Sequence, residues 1–105
     1  MNFYALFYDV IDDFVSRRAS YREEHLRLVH ESNRRGELLL AGALGEPPDR
    51  ALLVFRASSR SAAEDFARND PYVLNGLVNT WEVHPWANVI DFEASAPVQP
   101  SPSSH

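Results

Sequence analysis

Cysteine is absent from this chain, and so is lysine: all ten cationic side chains are arginines. Without cysteine there is no disulfide, no thiolate nucleophile and no Cys-ligated zinc. The same absence suits a reducing compartment, so the cytoplasm is the expected location. No apolar run approaches the ~20 residues of a membrane-spanning helix, and no membrane partner is expected. The opening Met1-Asn2-Phe3-Tyr4 has neither the basic region nor the small-residue cleavage site of a secretory leader, and none is expected. Glycine is scarce, at four residues. Gly42-Ala43-Leu44-Gly45 lacks both the GxGxxG spacing and the Walker lysine, which excludes the familiar phosphate loops. A basic stripe is missing too. With a formal charge of -5 the chain is a poor ligand for nucleic acid, whose binding depends on neutralising phosphates. A small anion needs only one or two well-placed arginines and is not excluded.

What is present is enough for one domain. Of the 105 residues, 45% are apolar, which can fill a single core but leaves no room for two. The expected domain runs over residues 1–93. Residues 94–105 are rich in Pro and Ser and read as a disordered tail.

Phe3 to Tyr8 is aromatic and of strand length. Asp12 and Asp13 are candidate caps for a helix from about Phe14 to Arg35, closed by Gly36. Leu38 to Ala41 reads as a second strand broken by Gly42, and Ala51 to Ala57 as a third. Ser58 or Ser61 is expected to cap a second helix, Ser61 with Glu64 matching the capping box. That helix should end near Asn69, because Pro71 disfavours helical geometry at Asp70. A turn from Tyr72 to Gly76 then leads into a last strand, Val78 to His84, stopped by Pro85.

The order β-α-β-β-α-β is the ferredoxin-like α+β plan, with a four-stranded antiparallel sheet and both helices on one face. Yet the first strand is apolar on both alternating sets, Phe3, Ala5 and Phe7 against Tyr4, Leu6 and Tyr8. Such strands call for cover on both faces. A second copy of the chain, packed through the open sheet face as a homodimer, is the simplest cover. The other possibility is that Asn88 to Phe92 and the tail fold back over it.

On a helical wheel started at Tyr21, His25, Leu28 and Ser32 fall within about 40° of Tyr21, and His30 points the opposite way. Only His25 is placed for a buried task. Arg18 and Arg22 lie at the edge of its face. A histidine among apolar neighbours can be a satisfied core residue, and an Asp before Pro can be a simple Asx turn. Side-by-side helices would nevertheless bring His25 towards Asp70, and a carboxylate beside an imidazole fixes its tautomer and raises its basicity. The four histidines show no HxH, HxxxH or HExxH spacing, so no metal site is expected. Ser58, Ser59 and Ser61 are better explained as caps than as nucleophiles. Trp81 suits the core; Trp86, at a strand end, could line a ligand pocket.

Several of these residues recur in order along the chain: Arg18-x-x-x-Arg22-Glu23-x-His25-Leu26, Ala41-Gly42, Asp70-Pro71-Tyr72-Val73 with Gly76, and Val83-His84-Pro85-Trp86. Together they resemble the YCII-related family, from the first strand to about Trp86. The resemblance implies a dimeric ferredoxin-like α+β barrel with a pocket around a His and an Asp, here His25 and Asp70. It points to Arg18, Arg22, Gly42, Tyr72 and Trp86 as residues around a small-molecule ligand. One relative is similar to a dehydrochlorinase acting on a chlorinated hydroxyquinol, while many members have no established activity. The chain departs from the family's Ala-Gly-Pro at Ala43, which changes the loop after the second strand.

Three readings of function follow. One is a lyase or isomerase needing no cofactor, in which His25 moves a proton, Asp70 orients it, and Arg18 or Arg22 holds an anionic oxygen of a small acidic or phenolic substrate. The others are a non-catalytic binding or regulatory module using the same pocket, and a structural dimer with a buried histidine.

Overall fold

The computed structural model describes residues 1–90. Nine elements follow one another: β1 (Asn2–Val10), α1 (Phe14–Arg17), a 3-10 turn (Arg18–Ser20), α2 (Arg22–Arg34), β2 (Leu38–Leu44), β3 (Arg50–Ala57), α3 (Ser61–Asn69), α4 (Pro71–Leu74) and β4 (Val78–Trp86). The strands form one antiparallel sheet in the order β2-β3-β1-β4. This is the ferredoxin-like α+β arrangement. The expected tail at residues 94–105, and residues 91–93 of the expected domain, lie outside the described residues.

Strand alternation sorts the side chains. Tyr4, Leu6, Tyr8 and Val10 of β1 are buried with Leu53 and Phe55 of β3 and Val78 and Val83 of β4, and helical Phe14, Ala63, Phe66, Ala67 and Tyr72 close over them. The register agrees, pairing Tyr8 with Ala51 and Trp81, and Leu6 with Leu53 and Val83. Phe3, Ala5 and Phe7 occupy the other face, opposite Arg56, Val54 and Leu52. There Leu40, Leu44 and Trp86 are exposed, and a hollow of about 260 Å³ is lined by Phe3, Leu39, Leu40, Val54, Trp86, Asn88 and Ile90.

Five local expectations are corrected. The first helix is not continuous: the chain tightens into a 3-10 turn, with the Tyr21 amide bonded to the Arg18 carbonyl at 2.9 Å, before α2 begins. β2 runs through Gly42 to Leu44, because Gly42 pairs with Leu52 in the ladder. β4 runs through Pro85 to Trp86. It is an edge strand, the place in a sheet where proline is tolerated. Neither Ser58 nor Ser61 caps α3. Arg60 holds the cap position without a side-chain bond, Ser61 is already helical, and its hydroxyl pairs with Ser59 at 2.7 Å. The turn after Pro71 is also partly helical, as α4.

Two helices, α2 and α4, close on left-handed glycines. Gly36 (φ 79°) follows α2 and Gly76 (φ 78°) follows α4. The amides of Glu37 and Leu77 return to the carbonyls of Ser32 and Tyr72 at 3.1 and 2.9 Å. These are Schellman closures, which need the positive φ that glycine supplies.

Candidate functional site

Asp70 is placed by its neighbours in sequence. Pro71 forces it out of helical geometry, to φ -71° and ψ 122°, so α3 ends and α4 starts at this one residue. Pro71 takes the first helical position of α4, where its missing amide costs nothing. Asp70 caps that helix, its Oδ1 accepting from the Tyr72 amide at 3.0 Å. The local Asx reading and the paired reading therefore coexist.

The carboxylate is fully buried. A buried charge demands partners, and Asp70 has three: the Tyr72 amide, His25 Nδ1 at 2.9 Å on Oδ1, and the Tyr8 hydroxyl at 2.8 Å on Oδ2. His25 is the fourth residue of α2, at the end of its first turn. Its ring stacks on Tyr72 with centroids 3.9 Å apart and planes at 12°, and meets Phe66 edge-on at 6.4 Å. An ionised carboxylate only accepts, so Nδ1 carries the proton and neutral His25 keeps its lone pair on Nε2. Among the described residues no hydrogen bond engages Nε2.

His25 borders a cavity of about 320 Å³. Phe14, Arg18, Arg22 and Tyr72 line it from the helical segments, and Tyr8, Ala41, Gly42, Ala43, Ala51 and Leu53 from the strands. The alanines leave room where larger side chains would fill it. The Tyr72 hydroxyl is buried and has no well-formed hydrogen bond among the described residues. Burial raises its pKa, against the opposing pull of the Arg22 and then the Arg18 guanidinium. Tyr8 is raised far above the ordinary tyrosine value, first by burial, then by the charge of Asp70 and the bond to it. It stays a donor throughout the usual pH range.

His25, Asp70, Arg18, Arg22, Gly42 and Tyr72 thus gather at one place, Asp70 behind the histidine and the others on the cavity wall. Trp86 does not join them. It lies at the end of β4 on the opposite face, 46% exposed, beside Phe3 and Leu40. Helical spacing alone did not carry Arg18 to the cavity, since the 3-10 turn separates it from α2; that turn rests it 5.4 Å from the Phe14 ring. Sequence reasoning passed over Tyr8, Phe14 and Phe66. Tyr8 had left a signal: a tyrosine on the helix-facing set of a central strand needs a buried partner for its hydroxyl.

A larger groove of about 660 Å³ involves α2 and α3, but its Arg27 is paired with Glu24 and Glu31, and its Arg35 with Glu37. No cluster of three or more metal-ligating side chains occurs among the described residues, and no helix among them is long and apolar enough to cross a membrane.

Comparison with known proteins agrees with this architecture. No curated protein matches the chain. Among solved structures it is similar to 5-chloro-2-hydroxyhydroquinone dehydrochlorinase (TftG) from Burkholderia phenoliruptrix AC1100, in complex with 2,5-dihydroxybenzoquinone. The TM-score is 0.68 at 18% identity, over 80% of this chain and 92% of that one. It is similar to protein Atu4242 from Agrobacterium tumefaciens, with a TM-score of 0.54 at 14% identity over 99% and 97% of the two chains. An antibiotic biosynthesis monooxygenase gives 0.53 at 11% identity over 82% and 96%. At such identities the likeness is one of fold. The model of the YCII-related domain matches residues 1–87, most of the chain's length, and the chain belongs to that family.

Proposed function

We propose that the protein is a cofactor-independent lyase or isomerase acting on a small acidic or phenolic molecule, with His25 as its general base. The observation that carries this reading is His25 held through Nδ1 by a buried carboxylate at a cavity, with Nε2 unengaged among the described residues. In the proposed step Nε2 takes a proton from the substrate, and the electron pair stays behind as an enolate or phenolate. Arg18 and Arg22, lining the same cavity, stabilise the developing oxyanion. Expulsion of a leaving group with its electron pair, as halide from carbon, would complete a lyase reaction. Return of the proton from His25 to a different atom would complete an isomerisation. Asp70 steadies the imidazolium between the two transfers.

The cavity suits one substituted six-membered ring, within the range of small-molecule pockets. The fold shared with TftG makes a dehydrochlorinase-like reaction a reasonable first trial. The exposed apolar residues of the open sheet face support a homodimer through that face, and the lack of cysteine suits the cytoplasm.

The test is a turnover panel of halogenated and plain hydroxyquinols, phenols and lactones with the wild type and His25→Ala. The wild type should turn over at least one compound, and removal of the base should cost roughly 10²–10⁴ in rate. Equal rates for both proteins, including none, would overturn the proposal. Saturable binding without turnover would point instead to a binding module.

A further inference from the structure

Tyr8 stands 62 residues from Asp70 in the chain, yet its hydroxyl donates to Asp70 Oδ2 at 2.8 Å. It projects from β1, a central strand bonded to β3 on one side and β4 on the other, and is 1% exposed. The ring has no freedom to turn its hydroxyl towards solvent. Oδ1 meanwhile takes both the Tyr72 amide and His25 Nδ1. With both oxygens engaged, the carboxylate cannot rotate, and Oδ1 stays aimed at the imidazole.

The arrangement has an electronic consequence. Donors to one carboxylate share its negative charge, so each weakens the acceptor offered to the others. From the opposite oxygen, Tyr8 draws on the charge that would otherwise stabilise a protonated His25. We propose that Tyr8 is a positioning residue that holds down the proton affinity of His25 by acting through Asp70. This rests on reading His25 and Asp70 as a proton-handling pair and extends that pair by a third member. Tyr8 is suited to the task because burial and the neighbouring charge keep it protonated.

Other groups facing the pair do not vary with Tyr8. Arg22 comes from α2 itself, Arg18 from the 3-10 turn, and Tyr72 from α4, while α3 presents the apolar Phe66. Removing the Tyr8 hydroxyl therefore changes one interaction. A core tyrosine whose hydroxyl is merely satisfied would affect stability and leave the His25 titration where it was.

The experiment is an NMR titration of isotope-labelled histidine in the full chain, with His25 assigned by the signal lost in His25→Gln. His30, on the solvent side of α2, serves as an internal reference. In Tyr8→Phe the His25 midpoint should rise by roughly 0.5–1 pH unit while His30 stays put. An unchanged or lowered midpoint in the folded variant would overturn the proposal. Should Tyr8→Phe fail to fold, 3-fluorotyrosine introduced at position 8 keeps the hydroxyl and makes it a stronger donor. The midpoint should then fall, and an unchanged or raised value overturns the proposal equally. The titration needs no substrate, so a silent turnover panel leaves this result standing, and an unmoved midpoint leaves His25 as a candidate base.

Discussion

Beneath the helices, Leu6 and Tyr8 of the sheet are sealed in the core, and the buried Asp70 carboxylate at the α3–α4 corner is supplied with three donors. On its other face Leu40 is 56% exposed, and charge is handled at the surface: Arg50 pairs with Asp9 at 3.2 Å and lies 4.7 Å from the Phe7 ring. The contrast follows from cover. Under α3 and α4 the buried charge of Asp70 must be partnered within the fold, and each partnership is worth more there than at the surface. Across the open face water screens the charges, and what is left unresolved there is apolar area.

The largest break in this contrast should come from Asp70→Ala. It leaves the Tyr8 hydroxyl, His25 Nδ1 and the Tyr72 amide without their acceptor and should cost about 3 kcal/mol, read from urea denaturation. A loss under about 1 kcal/mol would mean the helix-covered face tolerates unpaired groups as the open one does.

Leu40→Glu probes the other face. If a partner copy covers it, a carboxylate there should weaken self-association by at least about tenfold, equivalent to about 1.4 kcal/mol, in analytical ultracentrifugation. Because Leu40 is exposed in the single chain, the folding of that chain should be unaffected. An unchanged sedimentation profile would remove the case for association through this face.

Alkaline pH sharpens the comparison without a new side chain. The pKa of Tyr8 in the folded state lies above its unfolded value of about 10. Below that pH both states keep the proton and the stability is intact. Above it the unfolded chain binds fewer protons, so stability falls as pH rises. The wild type should lose roughly 1 kcal/mol more than Tyr8→Phe between pH 9 and pH 11, measured by thermal unfolding.

Arg50→Ala should have the smallest effect. Its ion pair and its contact with Phe7 are exposed, and their joint loss should stay below about 1 kcal/mol.

The legible part of the molecule was the part governed by local rules. Gly36 closes α2, Pro71 ends α3, and alternation along β1 separates a helix-facing set from an outward one. His25 was legible as the inward histidine because α2 is regular from Arg22 onward, so the wheel holds. The capping box failed because α3 begins one residue too early for Ser61 to serve. Trp86 was grouped with the pocket by its motif, yet it lies at the end of an edge strand on the other face.

By itself the sequence determined the element order, the two-sided apolar character of β1, and the extended backbone at Asp70, since each depends on residues adjacent in the chain. Only the tertiary structure decided that Asp70, His25 and Tyr8 converge. Those contacts span 45 and 62 residues and arise from packing α2 and the α3–α4 corner over a central strand. No periodicity encodes such a meeting. It follows from burying one carboxylate within reach of these donors.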